Sequence, residues 1–297
     1  MGTLPQPANA TTEHWRALLR EGRRALRDAY GAPMAPARLL RQHARLIDRV
    51  LKAVWRELAP VPDGALVATG GYGHGELFPF SDVDLLVLLA RDPTPIEREQ
   101  LAHLVGLLWD IGLEAGHSVR TVEACIESAH ADITVETALL EARLLAGSAA
   151  LYRRFDAAMA RAREPVAFLK AKQLEQEQRH AKHQDTPFAL EPNLKEAPGG
   201  LRDLQVIRWI ARASGVGRRW RDLERRALVQ HGEVLQLARH EALLQDLRIR
   251  LHYLAGRRED RIVFDYQNAL AEQCGLRGSP TRRASEQLMQ RYYNTAK

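Results

Sequence analysis

The stretch GGYGHGELFPFSDVDLLVLL, residues 70–89, decides how this chain is read. Glycines crowd one end, and Asp82 and Asp84 head an apolar run at the other. Just before it, the short apolar segment Ala65–Ala68 predicts a strand that runs into Gly70, and Val83–Leu89 predicts a second, longer one. Past Asp84 that second strand is apolar at every position, as suits a strand inside a sheet covered on both faces. Side chains alternate along a strand, so Asp82 and Asp84 share one face while Val83 and Leu85 point the other way, into a core.

Glycine clusters of this kind serve several phosphate-binding loops. The Walker A loop ends in Gly-Lys-Ser/Thr, which is absent here. The dinucleotide fingerprint needs a helix directly after its glycines, but Pro79 interrupts and a strand follows. A third arrangement joins the glycines to the carboxylates. Glycine lets the backbone approach a bulky anion, whose oxygens the backbone amides can bind. Two neighbouring carboxylates repel unless a cation lies between them. Mg²⁺ takes hard oxygen ligands and completes its shell with substrate phosphates. Alone, a Gly-Gly turn or an Asp-x-Asp strand start is ordinary structure. Together they predict a metal–triphosphate site suited to in-line attack on a phosphoryl group.

The rest of the chain sets bounds on that reading. Its 297 residues suffice for one large domain or two to three small ones, with 45% hydrophobic and 27% charged residues. No run approaches the ~18 consecutive apolar residues of a membrane helix. The N-terminal MGTLPQPANATTEHW lacks the charged and apolar regions of a signal peptide, so a cytoplasmic location is the default expectation. Cys125 and Cys274 stand far apart and form neither a metal knuckle nor a disulfide framework. The net charge of +6 fits a phosphate-bearing substrate or an acidic partner. Aromatic residues make up 6% of the chain and do not interleave with basic ones, which argues against a nucleic-acid stacking platform.

Hydrophobic periodicity predicts helices over 12–30 and 36–58, ended by Pro60 and Pro62. Thr94-Pro95-Ile96-Glu97 reads as a capping box with proline at the first helical position, opening a helix through Trp109 that stops at Gly112. A third strand is expected at His117–Val122, and Asp132 should cap one helix, ITVETALLEARLLA, ending at Gly147. Beyond residue 148 no strand is expected, with helices at 165–184, 201–213, 222–256 and 281–293. The layout is a helical lead-in over 1–58, an α/β domain over 59–150 and a helical domain over 151–297.

Gly-Gly followed about a dozen residues later by Asp-apolar-Asp-apolar resembles the DNA polymerase β-type nucleotidyltransferase superfamily. Residues 70–89 are most similar to the bacterial PII uridylyltransferase family. The stretches GLEAGHSVRT (112–121), DITVETALLEARLLAG (132–147), LEPNLKEAPGGLRDLQVIRWIA (190–211) and EDRIVFDYQNALAEQCG (259–275) resemble that family in the same order. The resemblance implies an α+β chain: a polymerase β-like domain with a small mixed sheet, plus an all-helical domain. It implies transfer of UMP from UTP to a tyrosine of the PII nitrogen-regulatory protein, with release of pyrophosphate. Asp82 and Asp84 are then the catalytic carboxylates and Mg²⁺ ligands, and Gly70, Gly71, Gly73, Ser81, Lys195 and Arg202 bind the nucleotide. Family members usually carry Arg where His74 stands. The family continues into an HD phosphohydrolase domain and two ACT domains. This chain has no His-Asp dipeptide and ends in QLMQRYYNTAK, which reads as the junction before the HD domain of a longer protein. An adenylyltransferase, an RNA-tailing enzyme, or an inert module that binds UTP or PII are the alternative readings.

In EPNLKEAPGGLRDLQ, Pro198-Gly199-Gly200 predicts a turn before a helix with Leu201, Leu204, Ile207 and Ala211 on one face. Free first amides beside Arg202 would make an anion site. Local salt bridges among Glu191, Lys195, Glu196 and Asp203 explain the same residues, and the sequence leaves both readings open. The HSVRT strand carries no third carboxylate. Glu114, Asp132 and Glu136 are candidates, each better suited to a surface or capping role. His180 and His183, with Lys170, Lys172 and Arg179, are expected on a solvated helix face, and Trp209 and Trp220 in packing.

Overall fold

The computed structural model describes residues 9–30 and 34–297; residues 1–8, part of the N-terminal stretch read above for targeting signals, lie outside them. Two long helices, α1 (Asn9–Ala29) and α2 (Pro36–Leu58), come first. Strand β1 (Ala65–Ala68), a single helical turn α3 (Gly70–Gly73) and strand β2 (Val83–Leu89) follow. Next come α4 (Pro95–Asp110), β3 (Ala115–Thr121), α5 (Val122–Ala131), α6 (Ile133–Leu140), β4 (Arg143–Gly147) and α7 (Ala149–Ala162). All later elements are helices: α8 (Pro165–Lys182), α9 (Leu201–Ala213), α10 (Trp220–Arg225), α11 (His231–Ala255), α12 (Phe264–Gln273) and α13 (Ala284–Ala296).

The four strands form one mixed sheet in the order β3-β2-β1-β4. Strand β2 runs parallel to β3, and β1 runs antiparallel to both β2 and β4. This is the α+β class with a small mixed sheet that the sequence led us to expect. Strand β2 is buried except at Asp84. Its Val83, Leu85, Val87 and Leu89 enter a core with α2 and α4, while Leu86 and Leu88 join Val122, Cys125 and Phe155 in a second core. A strand covered on both faces must be apolar on both, which is why it carries no polar alternation beyond Asp84.

By its contacts the chain divides into two compact units. Of the described residues, one comprises 9–30, 34, 38–77 and 81–162, and the other 35–37, 78–80 and 163–297. The first holds the sheet, and Leu19, Leu46, Val50 and Val54 of α1 and α2 share a core with strand residues Leu66 and Leu85. The second is built around Leu194, Leu244, Leu251, Leu270 and Tyr292.

Several local expectations change. Residues 132–147 do not form one helix: α6 stops at Leu140 and Arg143–Gly147 becomes β4, paired with β1 from Ala68↔Arg143 to Ala65↔Gly147. The Leu- and Ala-rich run prefers helix by less than ~1 kcal/mol per residue. Satisfying the open edge of β1 outweighs that preference. The third strand starts at Ala115, two residues earlier than expected, and Val122 already belongs to α5, which Thr121 caps by accepting from the Ala124 amide. The helix expected over 222–256 breaks into α10 and α11. The capping box is present: Thr94 accepts from the Glu97 amide at 3.2 Å, and Glu97 accepts from the Thr94 amide at 2.7 Å.

Candidate active site

The glycine turn is positioned by the sheet. Strand β1 ends at Ala68, and the Thr69 amide donates to the Asp84 carbonyl at 3.0 Å, holding the turn beside β2. The Gly73 amide then donates to the Thr69 carbonyl at 2.8 Å, closing α3. Gly70 has φ +54°, and a Cβ there would stand 2.9 Å from Asp84 Oδ2. Both the backbone conformation and the space therefore call for glycine at this position. At Gly73 a Cβ would come within 2.2 Å of the Glu141 carbonyl oxygen, so this glycine serves close packing. The first amides of a helical turn have no acceptor within the turn.

Strand β2 begins at Val83, so Asp82 stands one residue ahead of it and Asp84 is its second residue. Both carboxylates are exposed. Asp84 is in register with Gly116 of β3, where a Cβ would lie 3.0 Å from Asp84 Oδ1. The Asp84 carboxylate thus sits between Gly70 and Gly116, two residues that present only backbone. Among the described residues no group of three or more His, Cys, Asp or Glu is placed to hold a metal ion. Mg²⁺ is commonly held by one or two carboxylates, with water and phosphate oxygens completing its shell, and the Asp82–Asp84 pair fits that donor set. Of the candidates for a third carboxylate, Asp132 caps α6, accepting from the Thr134 amide at 2.7 Å, and Glu114 is exposed just ahead of β3.

His74 follows the turn, and its Nδ1 lies 2.9 Å from Oε2 of the buried Glu141. A second contact escaped the sequence reading altogether. Arg143, the first residue of β4, forms a two-pronged ion pair with Asp48 of α2 at 2.7 and 3.0 Å. It also donates to the carbonyls of Tyr72 and Gly73, both at 3.3 Å. The Arg143 and Glu141 signal lay inside a segment read as continuous helix, so nothing in the sequence placed it at the glycines.

In the second unit, the block 190–211 departs from its anion-site reading. The Leu201 amide donates to the Leu194 carbonyl at 3.0 Å and the Arg202 amide to the Lys195 carbonyl at 2.9 Å, so the first amides of α9 are not free. The preceding loop folds back and satisfies them. Arg202 pairs with Glu196 at 3.0 Å and stacks over Trp209. Asp203 accepts from the Gly199 amide, from Gln176 and from Arg179, and lies 3.0 Å from His180 Nε2. Lys195 has an ion pair to Glu196 at 3.4 Å, and burial first, then Arg202 and Arg248, lowers its pKa.

The solvated face expected on α8 is overturned at two positions. Lys172 is 1% exposed, with its ammonium 4.6 Å from the Trp209 ring centroid and 2.6 Å from Glu175. Arg179 is buried, bridging the Glu196 carbonyl and Asp203. Long stems let both residues cover apolar surface while their charged heads find partners, which a polar helical pattern does not reveal. In the same unit Arg248 lies over Phe78, and the fully buried His252 meets the Pro79 carbonyl and Asp260.

A family model described as "Nucleotidyltransferase domain" matches residues 47–139, and one described as "GlnD PII-uridylyltransferase" matches residues 167–297. Three similar proteins are each named "Bifunctional uridylyltransferase/uridylyl-removing enzyme". That of Nitrosospira multiformis is 51% identical over 95% of this chain and 32% of its own length. That of Aromatoleum aromaticum is 50% identical over 100% and 35%, and that of Cupriavidus pinatubonensis 54% over 85% and 29%. The chain is homologous to the N-terminal region of the PII uridylyltransferases. It spans about a third of the length of the curated relatives it matches. The nucleotidyltransferase match contains the glycine turn, Asp82 and Asp84, and the PII-uridylyltransferase match contains the whole 190–211 block. Among the described residues, no helix is long and apolar enough to cross a membrane.

Proposed function

We propose that this chain transfers UMP from UTP to a tyrosine hydroxyl of the PII signal protein in the cytoplasm, releasing pyrophosphate. The supporting observation is the Asp84 carboxylate lodged between the bare backbones of Gly70 and Gly116, with exposed Asp82 two residues ahead. In this reading Gly70, Gly71 and Gly73 shape a turn whose first amides hold the triphosphate, and Ser81 also binds the nucleotide. Asp82 and Asp84 would hold Mg²⁺, which would supply Lewis-acid polarisation of the α-phosphate and favour ionisation of the attacking phenol, whose usual pKa is ~10. The phenolic oxygen forms the new bond to the α-phosphorus as the bond to the β-phosphate oxygen breaks in line. A nucleotide-binding role for Lys195 and Arg202 is supported by the family resemblance of the 190–211 block.

The test uses the purified chain with Mg²⁺, labelled UTP or ATP, and PII protein or RNA as acceptor. Label should pass from UTP to PII, and Asp82→Asn should abolish it without loss of fold. Retained activity in Asp82→Asn would overturn the metal assignment. Transfer from ATP, or to RNA, would make the chain a different nucleotidyltransferase, and nucleotide binding without turnover would make it a binding module.

A further inference from the structure

Arg143, Asp48 and Tyr72 form a network that the proposed chemistry does not use. Asp48 lies on α2, Tyr72 within the glycine turn and Arg143 on the edge strand β4. The Tyr72 hydroxyl donates to Asp48 Oδ1 at 2.5 Å, and the ring is 1% exposed. Burial first, and the Asp48 carboxylate second, push the phenol pKa far up, so it remains a donor. Arg143 grips both Asp48 oxygens, lies 5.4 Å from the Tyr72 ring centroid, and reaches the carbonyls of Tyr72 and Gly73.

Those two carbonyls belong to rigid peptide units whose other ends are the amides of Gly73 and His74. The same amides close the turn by donating to the Thr69 and Gly70 carbonyls, at 2.8 and 3.3 Å. A guanidinium that fixes the carbonyls therefore fixes the pitch of the whole turn, including the direction of the Gly70 and Gly71 amides at its other end. A cation at the carbonyl end also complements the turn's dipole. Stability alone is a poor reason for this arrangement, because a partly buried ion pair is commonly replaced by apolar side chains without loss. What the planar fork supplies is direction.

We infer that Arg143, held by Asp48, is a positioning residue that orients the glycine turn for the triphosphate of the incoming nucleotide. This rests on the nucleotidyltransferase reading above and adds a determinant of nucleotide affinity outside the glycine–aspartate motif. Arg143→Lys keeps the charge but loses the two-pronged geometry. Its Kd for Mg²⁺–UTP, measured by calorimetry, should rise by about tenfold, as for loss of one charge-assisted hydrogen bond. KM for UTP should rise in parallel and kcat should stay within about twofold, the pattern of lost uniform binding. Asp48→Asn, which leaves Arg143 in place but weakens its anchor, should shift Kd in the same direction, with circular dichroism reporting the folded fraction for both variants. Unchanged Kd and KM in folded Arg143→Lys and Asp48→Asn, with only thermal stability lowered, would overturn the inference and leave a purely structural pair. If the unsubstituted chain bound no Mg²⁺–UTP, the nucleotidyltransferase reading itself would fall, and this inference with it.

Discussion

Two segments of this chain combine a glycine pair with charged residues, and they put those charges to different use. In the first unit, Gly70-Gly71 and Asp82/Asp84 leave two carboxylates exposed, one of them flanked by bare backbone on both sides. In the second, Gly199-Gly200 is followed by Arg202 and Asp203, whose charges are taken up by Glu196, Arg179 and His180. The helix amides there are taken up as well, by the carbonyls of Leu194 and Lys195. A glycine pair beside charges thus describes both an exposed pair of carboxylates at the head of a strand and a self-satisfied structural knot. Which one results depends on whether the fold buries the charges or leaves them exposed.

Substitutions in the two regions test this contrast. The largest effect is expected in the second unit, at a buried ion pair outside the knot. Asp260 pairs with Arg248 at 2.6 Å, both side chains are largely buried, and Asp260→Asn leaves that guanidinium unpaired. The folded state should lose about 3–5 kcal/mol, read as a shift in urea midpoint. Burial by itself would raise the Asp260 pKa, but His252, Arg248 and Lys195 outweigh it and hold the carboxyl well below the ordinary range. A depressed folded-state pKa contributes stability that is present above the ordinary value of ~3.9 and lost as pH falls below it. The unsubstituted chain should therefore weaken below about pH 4, and Asp260→Asn should show a flatter acid limb. An unchanged urea midpoint would show that the second unit does not depend on its internal pairing.

Next in size is Asp84→Asn, which should cut UMP transfer by at least ~100-fold, equivalent to about 2.7 kcal/mol of barrier. Thermal stability should change little, because the side chain is exposed. A large drop in melting temperature would place Asp84 with the structural charges instead. Gly70→Ala comes third. It forces a side chain into left-handed backbone and against Asp84 Oδ2, and should cost about 1–2 kcal/mol of stability together with activity. Full activity at unchanged stability would show that the close approach of the turn to Asp84 is dispensable. Smallest is Lys172→Met. The buried stem is replaced by a similar volume and the ion pair to Glu175 is lost, so stability should move by less than about 1 kcal/mol in chemical denaturation. A loss of several kcal/mol would show that this ammonium carries structure of its own.

Much of the first unit was legible in the sequence. Strands β1 and β2 fall on Ala65–Ala68 and Val83–Leu89 as read, because a short apolar run stopped by Thr69-Gly70-Gly71 and a seven-residue run apolar at all but Asp84 each have few alternatives. Helix α9 begins at Leu201 and ends at Ala213 as its periodicity indicated. Strand β4 was not legible, because Arg143–Gly147 has no strand pattern and is recruited by the edge of β1. The Arg143–Asp48 pair was missed for the same reason. Its partners are 95 residues apart, and their meeting depends on that recruitment.

By itself the sequence determined the chemistry on offer: glycines where backbone must come close, and two carboxylates with period two at the head of a buried strand. Those are local properties, set by side-chain volume, backbone freedom and alternation. Tertiary structure decided which charges are buried against partners and which stay exposed. Whether a lysine is solvated or buried, or a helix amide free or bonded, depends on which distant carbonyl or carboxylate the fold brings alongside. In the 190–211 block it brought partners to the first amides of α9 and to the charges of Arg202 and Asp203, and at the head of β2 it left the Asp84 carboxylate exposed, close to the backbones of Gly70 and Gly116.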